Sequence, residues 1–387
     1  MIGCLGRITA DGRRQVRSPR VPGLVLLILF ASVLMSAESA PSASGSTPSA
    51  PGPTPGHPAA SGAISVPATI DATGATDVSA ALNAFVRGLP DGSTIVFKAG
   101  GTYKLGEALH LTDRHNLVFN GNGSTLRMAG CDVEDSAFLL DGIPSTGITI
   151  SKFTMIGDNS GGGTTSAYIP LCESSMGVAI YGARDIDIAN VTISSVHGEC
   201  VYIDAGGNPR GTTPWSDGIT FRDSTCQLNG RMGVAIIAAS HVTVTRVIFE
   251  KLAISVFDIE PTRSDGGATY VSLTDNVING YGASPTYTPW VLEGSAYGMT
   301  TTIVHDVTLA RNRINGMTRS ANTGTTGGLR VKAQTQGWKN FSILNNVSTV
   351  TGSGPTMYFE HVDGLTVSGN SQPLTRGPLV WFDDSSG

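Results

Sequence analysis

Charge is scarce in this 387-residue sequence: Asp, Glu, Lys and Arg supply only 14% of it, against roughly 25% in an average soluble domain. With a net charge of −5 and no basic stripe in the body of the chain, nucleic acid is not an expected partner. Zinc-type Cys/His spacing, a phosphate-binding loop, a Ser-His-Asp pattern and a dinucleotide fingerprint are all missing. The run Gly161-Gly162-Gly163 reads as a loop insertion, not a phosphate cradle. What is present is Gly (49 residues), hydroxyl-bearing residues and Asn, with 40% hydrophobic residues, enough for a core. That balance suits a repetitive fold whose surface is built from turns and short strands.

The N-terminus reads as a separate segment. Arg7, Arg13, Arg14, Arg17 and Arg20 precede an uncharged apolar run from Val21 to Met35, the pattern of an export signal. Residues 1–37 are therefore expected to be a signal peptide, with Ala37 and Ala40 as candidate cleavage positions, or a retained signal anchor. Either way the protein would be secreted or extracellular, and only this segment would meet a membrane. Residues 38–64, rich in Pro, Ser, Ala and Gly, bury too little to offset their ordering entropy and read as a linker. The folded domain is expected over 65–387.

That domain repeats. A short strand with apolar ends and a polar middle recurs at Leu117–Phe119, Ile148–Ile150, Ile186–Ile188, Ile219–Phe221, Val242–Val244, Val271–Leu273, Val307–Leu309, Phe341–Ile343 and Leu365–Val367. The period of two marks one buried face. Successive copies are 31, 38, 33, 23, 29, 36, 34 and 24 residues apart, so the shortest intervals are lean coils and the longer ones carry inserted loops. A second strand precedes each first one, starting at Leu109, Phe138, Val178, Val201, Val234, Phe257, Trp290, Leu329 and Met357. Asn276, Asn312, Asn346 and Asn370 each stand three residues after a first strand and read as an asparagine ladder at a turn. Residues 77–88 read as an amphipathic helix with Asp77 as N-cap and Gly88 as stop, covering the open end of the stack. The fold predicted is all-β: a right-handed parallel β-helix of about nine coils with an N-terminal capping helix. Cys131, Cys172, Cys200 and Cys226 form an even set in an exported domain. Pairing by neighbouring coils favours Cys131–Cys172 and Cys200–Cys226, with buried free thiols as the alternative.

This pattern resembles the pectin-lyase-like superfamily. The stretch from Asp77 to Met128, with its helix followed by LPDGSTIVFKAGGTYKL, is similar to the usual entry into that fold. The resemblance implies a polysaccharide partner, and it embraces hydrolases, lyases, C5-epimerases, tailspikes and noncatalytic adhesins. Gly328-Leu-Arg330-Val-Lys332 resembles the motif with which polygalacturonases bind a substrate carboxylate. This implies that Arg330 and Lys332 bind substrate. The paired aspartates of that family are replaced here by Asp258-Ile-Glu260, and its N-T-D and G-H-G motifs are absent.

Stacking the second strands gathers charge on one outward face. One column brings Asp258 level with Val291 and Arg330, and the next brings Glu260 level with Glu293 and Lys332, with Asp204 two coils before Glu260. Asp258 and Glu260 would stand about 7 Å apart along one strand, within the roughly 6.5–9.5 Å of inverting glycosidases. Glu260 and Glu293 would repel across one coil, so that one could hold a proton. Catalysis is accordingly expected from Asp258, Glu260 and Glu293. Substrate contacts are expected from Arg231, Arg330, Lys332, Asp204, His197 and Glu199, with Tyr202 and Trp290 as stacking surfaces. A solvated ion-pair ladder, a turn histidine at His197 and a structural Arg231 paired with Asp258 or Glu260 are the plainer readings. The leading expectation is an exported glycoside hydrolase acting on a polysaccharide. The alternatives are a lyase or epimerase, and a noncatalytic glycan-binding surface protein. No cofactor is required by the sequence, whereas a lyase could use calcium or another cation to neutralise a uronate, with Asp204, Asp258 and Glu260 as candidate oxygen ligands.

Overall fold

A computed structural model describes residues 62–387 apart from 208–213, 263–264, 296–302, 318–330, 354–355, 377–378 and 384–387, with backbone only at 133, 331–337, 352–353, 374–376 and 383. The expected signal and linker lie outside the described residues. Within them, strand after strand pairs in parallel with the equivalent strand one coil on.

Three stacks result. The first repeat stacks Thr146–Ile156, Arg184–Ala189, Ser216–Arg222, Ala238–Thr245, Gly267–Thr274 and Ile303–Ala310, continuing into Val331–Leu344 and Met357–Ser368. Its inward column runs Ile148, Ile186, Ile219, Val242, Val271, Val307, Phe341 and Leu365 in unbroken register. Each of these side chains is buried, worth about 1.5–3 kcal/mol apiece relative to exposure. The second repeat stacks Leu109–Leu111, Phe138–Leu140, Val178–Tyr181, Val201–Asp204, Val234–Ile236, Phe257–Ile259 and Leu292–Ser295. It continues through Val331, Met357 and finally Val380–Asp383. This last strand adds a rung beyond the nine read from the repeats. A third stack, from Thr192–Ser194 through Val347–Ser348, closes the coil.

The register corrects two rungs. The strand expected to begin at Trp290 begins instead at Leu292, whose partner is Phe257. Val331, not Leu329, is the partner of Leu292 and Met357. Both slips are of two residues. A slip of two leaves every side chain on its own face, so alternation alone cannot detect it.

The turn after the first stack carries the asparagine ladder. The Asn312 Oδ1 accepts from the backbone N–H of Asn276 at 3.0 Å and from its Nδ2 at 3.0 Å; Asn346 does the same for Asn312, and Asn370 for Asn346. The ladder residues are not themselves left-handed. That role falls to the residue before each, Asp275, Arg311, Asn345 and Gly369, at φ of 54–66°.

The helix spans Ser79–Arg87 and lays Leu82 and Val86 on the end of the core. Its N-cap is Val78, not Asp77, although Asp77 still accepts a hydrogen bond from the Ser79 N–H at 2.9 Å. Asn83 donates to the Ala108 carbonyl and accepts from the His110 N–H, satisfying the otherwise open edge of the first rung. Disulfides join Cys131 to Cys172 and Cys200 to Cys226, as the coil pairing predicted.

Candidate functional site

The outward side chains of the second stack build the site. In register, Tyr202 stands level with Ala235, Asp258, Glu293 and Lys332. Glu293 therefore adjoins Asp258, not Glu260, which corrects the expected columns and follows from the slip at Leu292. The side chain of Lys332 and the whole of Arg330 lie outside the described residues.

The turn leading into this stack brings in a second group. Gly198 and Gly230 let the coils close up there. A Cβ on Gly198 would lie 2.4 Å from the Glu173 carbonyl oxygen, and one on Gly230 would lie 2.0 Å from that of His197. The residue after each glycine points at the charged face. These are Glu199, fully buried, and Arg231, with 17% of its side chain exposed. Arg231 Nη1 lies 2.8 Å from Glu199 Oε1, its Nε 3.4 Å from Glu173 Oε2 and its Nη2 3.7 Å from Glu260 Oε2. The 2.8 Å contact is an ion pair without hydrogen-bond alignment. Among the described residues, neither oxygen of Glu199 accepts a hydrogen bond.

Burial sets the proton affinities. Removal from water pushes the Glu199 carboxyl up to about 7, with the Arg231 charge holding it down and Glu260 and Glu173 opposing that. Asp258 is pushed well above the usual carboxylate range, first by burial and then by the charges of Glu260 and Glu293. Asp258 and Glu260 also share a side-chain hydrogen bond.

These groups line a pocket of about 400 Å³, counting its open mouth. Asp258, Glu260, Glu293 and Ser295 supply its polar lining, Met232, Ile254 and Tyr287 its apolar lining, and Arg231 one edge. Glu293 accepts from Ser255 Oγ at 2.9 Å, and Ser255 in turn accepts from the Trp290 N–H at 3.0 Å. Trp290 thus stands in the connection before the strand rather than on the face. Tyr202 and Tyr181 lie one coil apart with ring centroids 5.6 Å apart, extending the face away from the pocket. Tyr202 donates to Asp204 at 3.4 Å. His197 Nε2 is 3.0 Å from Asp158 Oδ1. The plainer reading is a turn histidine bonded to backbone; this contact is instead to a carboxylate side chain.

Several contributors escaped the sequence reading: Glu173, Tyr168, Tyr287 and Ser255. Tyr168 donates to Glu173 Oε2 at 3.1 Å, and its hydroxyl lies 3.3 Å from that of Tyr287. Both tyrosines sit in loops inserted within the two longest repeat intervals, 38 and 36 residues. Those intervals were the available signal. The calcium set of Asp204, Asp258 and Glu260 is not assembled. Among the described residues, the trio with metal-ligand spacing is Glu107, His110 and Glu134, beside the capping helix.

No family model and no curated protein matches the chain. Solved structures do. The family 28 exopolygalacturonase of Yersinia enterocolitica aligns over 84% of this chain and 76% of its own, at 11% identity and a TM-score of 0.53. The Streptococcus pneumoniae surface protein and adhesin PfbA aligns over 84% and 95%, at 17% identity and 0.52. An alginate lyase from Paenibacillus sp. aligns over 80% and 97%, at 14% identity and 0.51. At such identities the likeness is one of fold, and an enzyme of each kind and an adhesin share it. The chain has the parallel β-helix fold that these structures share.

Proposed function

We propose that the protein is an exported glycoside hydrolase acting on a polysaccharide laid along the second stack. The observation that carries this reading is the buried Asp258 on the pocket wall, where burial and neighbouring carboxylates raise its proton affinity, with Glu293 beside it one coil on. Asp258 would protonate the departing glycosidic oxygen, and Glu293, oriented by Ser255, would act on the opposite side of the sugar. The coil rise of about 4.8 Å is nearer the roughly 5–5.5 Å of retaining enzymes than the separation of inverting ones. Glu260, next to Asp258 on the same face and 3.7 Å from Arg231 Nη2, would hold the proton donor in place. The two disulfides fit an extracellular setting.

A lyase is less well supported. Arg231 is held in its charged form by Glu199, Glu260 and Glu173, so it makes a poor base for removing a proton at C5. The reading is tested by a polysaccharide panel scored for new reducing ends and for ultraviolet-absorbing unsaturated products. Reducing ends without ultraviolet absorbance are expected, and Glu293→Gln should lower kcat by about 100-fold or more. Activity unchanged in both Glu293→Gln and Asp258→Asn would place the chemistry elsewhere.

A further inference from the structure

We propose that Glu107, His110 and Glu134 bind one divalent transition cation of the zinc class, at the capped end of the face that carries the pocket. In register, His110 is level with Leu139, Ala179, Tyr202, Ala235 and Asp258. The three ligands come from three local structures. Glu107 lies in the turn before the strand Leu109–Leu111, His110 in that strand, and Glu134 in the 3-10 turn Val133–Asp135 that leads into the next coil. His110 Nε2 lies 2.9 Å from Glu134 Oε2 and 3.3 Å from Glu107 Oε1. All three ligand atoms lie within 4.8 Å of one another. A tetrahedral zinc with bonds of about 2.0–2.2 Å sets its ligand atoms roughly 3.4 Å apart.

The nitrogen itself points the same way. Nε2 is shielded from water, yet it makes no aligned hydrogen bond to either carboxylate oxygen. A protonated bridge between the two glutamates would align its N–H with one of them, whereas a ligand nitrogen aims its lone pair at an ion. Asp141 Oδ1 lies 4.0 Å from Nδ1, on the side where a metal-bound histidine has its outer carboxylate. The main chain presets the arrangement. Buried Asn83 donates to the Ala108 carbonyl at 2.8 Å and accepts from the His110 N–H at 2.9 Å. The Ala108 N–H donates to the Glu134 carbonyl at 2.6 Å, and the Cys131–Cys172 disulfide ties the chain just before Glu134. Ligands held this way lose little freedom on binding. Three ligands are too few for calcium, which takes about 6–8 oxygens, and an imidazole nitrogen favours transition cations. Both glutamates are about half exposed, which leaves the remaining coordination to water.

Isothermal titration of zinc chloride into the untagged full chain, freed of metal with EDTA and dialysed, tests this. One saturable site of micromolar affinity or tighter is expected, undisturbed by millimolar calcium. His110→Ala should weaken it by about 100-fold and Glu134→Gln by about tenfold. Each variant is first checked for a metal-free melting curve like the wild type's, and Glu107→Gln stands in for one that does not fold. Zinc should raise the melting temperature of the wild type but not of the variants, because the ion joins the first coil to the second. Absence of saturable zinc binding would overturn the proposal. So would zinc bound equally well by wild type and folded variants, which would trace it to other surface histidines. Calcium bound as tightly as zinc would overturn the assigned class of ion.

Discussion

Glu199 shows what one buried residue does to this protein. An unfolded Glu titrates near 4.5, and the folded one near 7. Below 4.5 both states hold the proton, so the group's full contribution to stability is present. As pH rises through about 7 the folded state must release its proton in a fully buried site, and stability falls. Asp258, also raised, adds to the same slope. Denaturant titration between pH 4.5 and 8 should show the wild type losing up to about 3 kcal/mol that Glu199→Gln does not lose. Parallel slopes would deny Glu199 this role. Asn312 is the opposite case, a buried polar residue with every group bonded. Asn312→Ala strands the Asn276 N–H and removes one of the two acceptors of its Nδ2, the Val244 carbonyl remaining, and should cost about 2–3 kcal/mol in urea unfolding. Both residues differ in how far the sequence announced them. The ladder asparagines recur at a fixed offset, which any stacked turn would require. Glu199 stood out only as a charge near a turn. Its burial depends on Gly198 and Gly230 closing the coils, which no local pattern states.

At the scale of elements, the strands were legible and the loops were not. Period-two alternation placed both strand sets on their correct faces. It failed only at Trp290 and Leu329, where a two-residue slip conserves facing and changes register. That slip decides whether Glu293 adjoins Asp258 or Glu260, so it decides the chemistry. The loop carrying Tyr168 and Glu173 has no period at all, and its position is set by tertiary contacts with Arg231 and Tyr287. Cys172, next to Glu173, ties this loop to Cys131. Replacing both cysteines with Ser should leave the coil core intact, seen as unchanged strand signal in circular dichroism. It should raise KM on the active polysaccharide several-fold, because the wall beside the pocket loosens. A KM unchanged by that double substitution would separate the loop from binding.

At the scale of the molecule, the solenoid turns distant sequence into neighbours. Glu173 and Glu293 stand 120 residues apart in the chain, yet both belong to the charged cluster around Arg231. Shared fold cannot choose among hydrolase, lyase and adhesin, since all three occur on it. The hydrolase proposal rests on the buried Asp258 with its raised proton affinity, beside Glu293. The most direct measurement is the initial rate of reducing-end release from the polysaccharide on which a substrate panel finds activity, compared between wild type and a folded Asp258→Asn variant whose melting temperature is recorded. Loss of about 100-fold or more in kcat with an undiminished melting temperature is the predicted result. A folded Asp258→Asn variant that releases reducing ends at the wild-type rate would contradict the account.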